Sequence, residues 1–222
     1  MTPDERWLEA MWPVVRARLP APPARVLELG CGRLGGFVPV LRSNGYEAVG
    51  VDRDAPDGAA YRRMDFEELE PRGDVDAVLA SRSLHHVGDA GQVVERIARA
   101  LVPGGRLVVI EWNWEAFDEP TAEWCFQRLR PEEEGWLQRR REQWAGSDRP
   151  WGVTMREWAE GEHLHPVDAL LRLLEPRFRR EHLAEGPYFF TELAEASEAD
   201  ELEAIRAGEI RATRVDYVGV LR

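Results

Sequence analysis

Not one of the 222 residues is a lysine, so all 29 basic residues are arginine. That absence removes every mechanism that needs a side-chain primary amine, including the Tyr/Lys pair of many nicotinamide oxidoreductases. Cysteine is scarce too. Cys31 and Cys125 lie 94 positions apart without CxxC spacing, which suggests neither a disulfide framework nor a zinc site. Positive charge is short overall, with 41 acidic residues leaving a net charge of −12. Nucleic-acid affinity comes mainly from basic side chains neutralising phosphates, and anionic membrane surfaces repel such a chain, so neither partner is expected. No apolar run approaches the ~20 residues of a membrane-crossing helix. The opening MTPDERWLEA has no basic region followed by an apolar stretch, so no secretory signal is expected. These absences leave a reduced, cytoplasmic protein, monomeric or homodimeric, as the simplest reading.

What is present suits a single domain over 1–222. Hydrophobic residues make up 44% and charged residues 32%, and a chain of this length buries about 70% of its unfolded surface. Residues 3–18 read as a helix: Thr2 caps it, Pro3 suits its first turn, and Trp7, Leu8, Met11, Val14 and Val15 recur at helical spacing. From Arg25 a strand–helix rhythm begins. ARVLEL, EAVGVD, AYRRMDF, DVDAVLAS and RLVVIEW read as five strands, with helices over GFVPVLRSNG and from about Asp89 to Leu101. Strands apolar throughout and alternating with helices imply a parallel sheet covered on both faces.

After Glu111 the character changes. Seven of the nine tryptophans fall within 112–158, a stretch of polar helices without a strand. Within it Arg139, Arg140 and Arg141 are bracketed by Glu132, Glu133, Glu134 and Glu142, which reads as a solvated helix face. The rhythm resumes with VDALLRLLEP as a helix, FRREHLAE as a strand, a helical stretch over roughly 190–207, and RVDYVGVL as a last strand. The fold class is therefore α/β, a doubly wound and mostly parallel seven-stranded Rossmann-like sheet with an antiparallel last strand. A helical, Trp-rich insertion or lid occupies about 113–165, between strands five and six.

VLELGCGRLGG carries the most information. A strand runs into Gly30, Cys31, Gly32 and Gly35, where a tight turn lets a ligand approach the backbone. Asp52 ends the next strand, where a carboxylate can accept from two ribose hydroxyls. Gly30-x-Gly32-x-x-Gly35 followed by an acid also satisfies the dinucleotide fingerprint. Three features favour S-adenosylmethionine over NAD. Glu28 sits inside the strand, where a buried carboxylate needs a partner, and the cationic, amino-bearing end of S-adenosylmethionine is one. A helix precedes the first strand, and a hairpin-like strand closes the chain.

VLELGCG, VGVD, MDF, VDAVLASRSLHHV and ALVPGGRLVVIEW, in that order, resemble the class I S-adenosylmethionine-dependent methyltransferases, in the small-molecule, ubiquinone-biosynthesis-like (methyltransferase type 11) group. The match runs well over about 20–112 and loosely over 166–222. The resemblance implies that Glu28, with the turn at Gly30, Cys31 and Gly32, positions the methionine part of the cofactor. It implies that Asp52 holds the ribose with Arg53 beside the adenine, and that Asp65 accepts from the adenine amino group while Phe66 packs nearby. Ser81 and Arg82 lie alongside the methionine amino group. The usual third glycine of E-x-G-x-G-x-G falls at Leu34, with Gly35 and Gly36 after it.

A sulfonium methyl is already electrophilic, so the protein's main task is alignment, with a base needed only where the acceptor loses a proton. His86 and His85 follow the fourth strand and are the candidate bases. Glu160, Glu162, His163 and His165 form E-x-E-H-x-H, read as solvated, so no metal is assigned. Trp112 and Trp114 leave the fifth strand and Trp151 lies in RPWG; these are the candidate acceptor contacts, whereas Trp136 and Trp144 look structural. The partner is then a small-molecule methyl acceptor of unspecified identity. A nucleic-acid methyltransferase is disfavoured, because Ser81-Arg82-Ser83-Leu84 stands where N/D-P-P-Y/F would be. Two alternatives remain: a non-catalytic binder of S-adenosylmethionine or S-adenosylhomocysteine, its cavity plugged by the Trp-rich segment, and an NAD-dependent oxidoreductase.

Overall fold

Because successive side chains of a strand point to opposite faces, runs apolar at every position must bury both. In the computed structural model, which describes residues 1–130 and 135–222, they do. β1 (Arg25–Leu29), β2 (Glu47–Asp52), β3 (Tyr61–Arg63), β4 (Val75–Ser81), β5 (Leu101–Trp112), β6 (Phe178–Gly186) and β7 (Arg214–Leu221) form one sheet in the order β3-β2-β1-β4-β5-β7-β6. β1 to β5 pair in parallel, and β7 runs antiparallel to both β5 and β6. Val26, Leu79 and Val108 feed one apolar cluster while Leu27, Ala80 and Val109 feed another on the opposite face. The strand order reverses beside β1. That switch point is where open α/β sheets take ligands, at the carboxyl ends of the strands.

Local chemistry sets the helices. α1 (Pro3–Arg18) opens on a capping box between Thr2 and Glu5 and buries Trp7, Met11 and Val15. α2 (Val38–Ser43) follows the glycine turn, and α3 (Ala90–Ala100) is capped by Asp89. α7 (Val167–Leu174) packs with α3 on one face of the sheet. α1 and α2 join the cluster on the other face, as do α4 (Glu119–Phe126), α5 (Trp136–Ala145), α6 (Trp151–Gly161) and α8 (Glu198–Ala207). The helical stretch expected over 190–207 is shorter. A 3-10 turn spans Phe189–Thr191, Leu193 then bridges to Leu129, and the helix starts only where Ser197 caps it. The expected third strand likewise stops at Arg63.

The segment between β5 and α7 is tied to the sheet through its aromatic rings. Trp112 lies 5.1 Å from Trp136, Trp136 stacks on Trp158 at 5.9 Å, and Phe117 meets Trp151 at 5.1 Å. Trp136 and Trp144 both pack on this cluster. Arg139 and Arg141 are exposed while Arg140 lies over the Trp158 ring at 5.0 Å; residues 132–134, read as bracketing them, lie outside the described residues. No described helix is long and apolar enough to cross a membrane.

Candidate active site

β1 delivers the chain into Gly30, whose φ of +88° is open to glycine and whose Cβ, if present, would stand 2.3 Å from Ser83 Cβ. The chain then turns through 31–37 into α2. Glu28, 1% exposed, holds that turn from beneath: the Phe37 amide donates to its Oε1 and Oε2 at 3.0 and 2.9 Å. Burial raises the Glu28 pKa to about 8, against the opposing pull of the Phe37 and Val38 amides. Gly36 sits at φ +57°, and a Cβ there would come within 2.3 Å of Glu28 Oε1. Gly36→Ala is therefore expected to lose about 1–2 kcal/mol from the left-handed backbone alone, and more as Glu28 is displaced. Urea denaturation reads this directly. An unchanged midpoint would show that the turn yields freely.

At the carboxyl edge of the sheet opens a cavity of about 450 Å³, within the usual range for small-molecule sites. Gly30, Gly32, Asp52, Phe66, His86 and Tyr188 are among the residues that line it. Asp52 Oδ2 accepts from the Gly32 amide at 2.9 Å and Oδ1 from the Asp54 amide at 2.8 Å, which leaves lone pairs on both oxygens. The lining is acidic, with four carboxylates (Asp52, Asp54, Asp65, Glu67) against two guanidinium groups. Both guanidinium groups are engaged. Arg53 pairs with Asp65. Arg82, at φ +55°, pairs with Asp4 of α1 at 2.7 Å and lies over the Trp7 ring at 4.7 Å.

The other end of the cavity is built from the segment after β4 and from Tyr188. Ser81 Oγ accepts from Trp7 Nε1 at 3.1 Å, and Ser83 Oγ donates to the Leu29 carbonyl at 2.9 Å. His85 Nδ1 is hydrogen-bonded to Glu111 Oε2. Glu111 Oε1 accepts from the Ser83 and Leu84 amides at 3.0 and 2.6 Å. His86 reaches solvent at the mouth; desolvation by the wall, and then the neighbouring His85, push its pKa down to about 4. The Tyr188 phenol is raised by burial, and its ring stacks on Trp112 at 5.8 Å. Glu201 of α8 takes the amides of Tyr188, Phe189 and Phe190, which fixes that turn.

The structure gathers Gly30, Gly32, Asp52, Arg53, Asp65, Phe66, Ser81, Arg82, His85 and His86 around one cavity. It separates the others. Glu28 and Cys31 line a smaller adjoining pocket that shares Gly30, Gly32, Ser81 and Arg82 with the larger one, and the Glu28 carboxylate meets α2 instead of open space. The Cys31 thiol is buried, packs on Gly50, and is pushed up to about 12 by burial. Trp112, Trp114 and Trp151, expected at the acceptor, do not line the cavity. Their exposures are 3%, 7% and 0%, because large ring faces gain most when packed on one another. Trp151 Nε1 donates to the Phe117 carbonyl at 2.7 Å. None of the insertion's tryptophans plugs the cavity.

The methyltransferase domain family matches residues 5–175. The chain belongs to that family. The ubiquinone biosynthesis O-methyltransferase of Bradyrhizobium sp. (strain ORS 278) is 36% identical over 108 residues, 42% of this chain and 42% of the relative. The match thus spans under half the length of such curated relatives. Among solved structures, an S-adenosylmethionine dependent methyltransferase from Mesorhizobium loti aligns over 96% of this chain and 99% of its own, with a TM-score of 0.59 and 22% identity. The geranyl diphosphate C-methyltransferase of Streptomyces coelicolor A3(2) aligns over 97% and 81%, with a TM-score of 0.57 and 18% identity. These structural likenesses establish the fold, a Rossmann-like methyltransferase sheet.

Four residues of this methyltransferase domain escaped the sequence reading. Glu111 carries the same signal as Glu28, a carboxylate inside an apolar strand that must find a partner. Asp4 and Trp7 come from α1, and Tyr188 from the turn after β6; nothing local to their sequence marks them as neighbours of Arg82. His165 is a further tie. Its amide donates to the His85 carbonyl at 2.9 Å and its Nε2 meets the Val87 carbonyl at 2.8 Å, which fastens the segment before α7 to the histidine turn.

Proposed function

We propose that this domain transfers the methyl group of S-adenosylmethionine to a small-molecule acceptor. One observation carries the reading: a glycine turn opens on a cavity lined by four carboxylates and only two guanidinium groups. S-adenosylmethionine brings a sulfonium and an ammonium, which such a lining attracts. The pyrophosphate of NAD would meet a lining of net negative charge, which counts against the oxidoreductase reading. The open cavity counts against a binder plugged by its own tryptophans. Bound there, S-adenosylmethionine supplies an electrophilic methyl group.

In this reading Asp52 accepts from the ribose hydroxyls with the lone pairs that Gly32 and Asp54 leave free. Gly32 lets the backbone come close, since no atom lies within 4 Å of the place where its Cβ would be. Phe66 packs on the adenine, Asp65 takes its amino group, and Arg53 flanks it. Glu28 shapes the turn from below, Cys31 contributes backbone only, and Ser81 and Arg82 face the methionine end. His85 and His86 stand on the acceptor side with Tyr188. We take residues 1–222 as a single domain whose segment 113–165 forms a lid with its own packed aromatic centre. A cytoplasmic, metal-free monomer or homodimer acting on neither nucleic acid nor membranes fits the charge and composition.

Calorimetric titration with S-adenosylmethionine and, separately, with NAD tests the reading. Binding of the first alone is expected. Asp52→Ala should weaken it at least tenfold, about 1.4 kcal/mol; unchanged affinity removes Asp52 from the site, and preferential NAD binding overturns the proposal.

A further inference from the structure

Two histidines face the cavity, and only one has a carboxylate behind it. Glu111 projects from β5 at 1% exposure into a cage made by the Ser83 and Leu84 amides and the His85 ring. Burial alone would raise its pKa, but the neighbouring His85, with its hydrogen bond and those of the Leu84 and Ser83 amides, outweighs that and lowers it. Amides donate to both of its oxygens, Ser83 and Leu84 to Oε1 and Trp112 to Oε2 at 3.4 Å, which marks the group as an acceptor, so Nδ1 carries the proton when the His85 ring is neutral. The lone pair is left on Nε2, for which no described residue provides a partner, in a ring that lines the cavity. His86, with its ring 4.1 Å away, has no hydrogen-bonding side chain to orient it among the described residues. The other polar groups nearby are committed: Ser83 Oγ donates to Leu29, and Arg82 pairs with Asp4. No unpaired cation lines this end, so an anionic acceptor head finds no counter-charge.

We propose that Glu111 is the positioning residue that makes His85 the proton acceptor for a neutral, hydroxyl-bearing methyl acceptor seated beside His86 and Tyr188. The inference rests on the methyltransferase reading above. As the acceptor oxygen bonds to the methyl carbon, His85 Nε2 takes the hydroxyl proton. The carbon–sulfur bond breaks with its electron pair remaining on sulfur, so an ether and S-adenosylhomocysteine are formed. Glu111 balances the imidazolium until its proton passes to solvent. An amine acceptor, which attacks with a lone pair already present, has no need of this arrangement.

The decisive measurement is the tautomer of His85, read by nitrogen NMR of the full chain labelled at histidine and assigned by His85→Gln. It needs neither ligand nor turnover. A neutral ring protonated at Nδ1 with a free Nε2 is expected, with Glu111→Gln redistributing the proton and Glu111→Asp restoring it in part. A ring protonated at Nε2 in the wild type, or one indifferent to Glu111→Gln, overturns the proposal. Where catechol and aniline are offered as probes, Glu111→Gln should slow catechol methylation by about 100-fold, with S-adenosylmethionine affinity held within about twofold. Aniline methylation by Glu111→Gln should stay as fast as in the wild type; equal slowing of aniline and catechol also overturns it. Failure of the wild type to bind S-adenosylmethionine sinks the methyltransferase reading instead, and leaves the tautomer result to stand on its own.

Discussion

Trp151→Ala is expected to lower the unfolding free energy by about 3–5 kcal/mol, the usual cost of emptying a large aromatic site in a core. Trp151 is fully buried at the start of α6 and packs between Phe117 at 5.1 Å, Phe126 at 5.4 Å and Trp144 at 5.5 Å. Its indole N–H also satisfies the Phe117 carbonyl, which the substitution leaves without its donor. Set against a typical domain stability of 5–15 kcal/mol, such a loss brings the midpoint of urea unfolding down sharply. Trp151→Phe keeps most of the ring packing and should fall between. The alternative, that this tryptophan touches the acceptor, predicts the opposite pattern: a normal unfolding midpoint with turnover lost.

The tryptophans also mark where sequence stops being informative. β1, β4 and β5 were legible because their apolar runs, glycines and acidic ends are local signals, and local signals survive without knowledge of neighbours. The carboxylates at Glu28 and Asp52 followed from the same reasoning. Trp112, Trp114 and Trp151 could not be sorted in that way. Whether a ring faces a cavity or another ring depends on helices brought together from 119–126, 136–145, 151–161 and 198–207, and no periodicity records that. Tyr188 and Asp4 illustrate the same limit, since they meet Arg82 only because α1 and the turn after β6 converge at one edge of the sheet. Glu111 differs. Its place inside RLVVIEW was as telling as that of Glu28, and its partner was the histidine turn already singled out.

Glu28 gives the other large expectation, this time against pH. Its pKa in the folded protein stands at about 8, raised from the ordinary 4.5 first by burial. A carboxyl raised on folding contributes stability fully present below its unfolded pKa and lost as pH rises through the folded one. The window therefore runs from about 4.5 to about 8, and within it each pH unit removes about 1.4 kcal/mol. Glu28→Gln cannot titrate, so the difference in unfolding free energy between variant and wild type should swing in favour of the variant by several kcal/mol across that window, on the order of the slope times its width. Subtracting the two curves cancels His86 and every other shared group. A flat difference would mean that the Phe37 amide already holds the carboxylate ionised, with burial outweighed. The same measurement bears on ligand binding, because Glu28 lines the pocket next to Arg82 and Gly32. A cation lodged there favours the ionised form, so saturating S-adenosylmethionine should flatten the wild-type curve and leave that of Glu28→Gln unchanged in slope. Stabilisation by the ligand that is independent of pH in both proteins would place the methionine end away from Glu28, and leave that carboxylate with the turn alone.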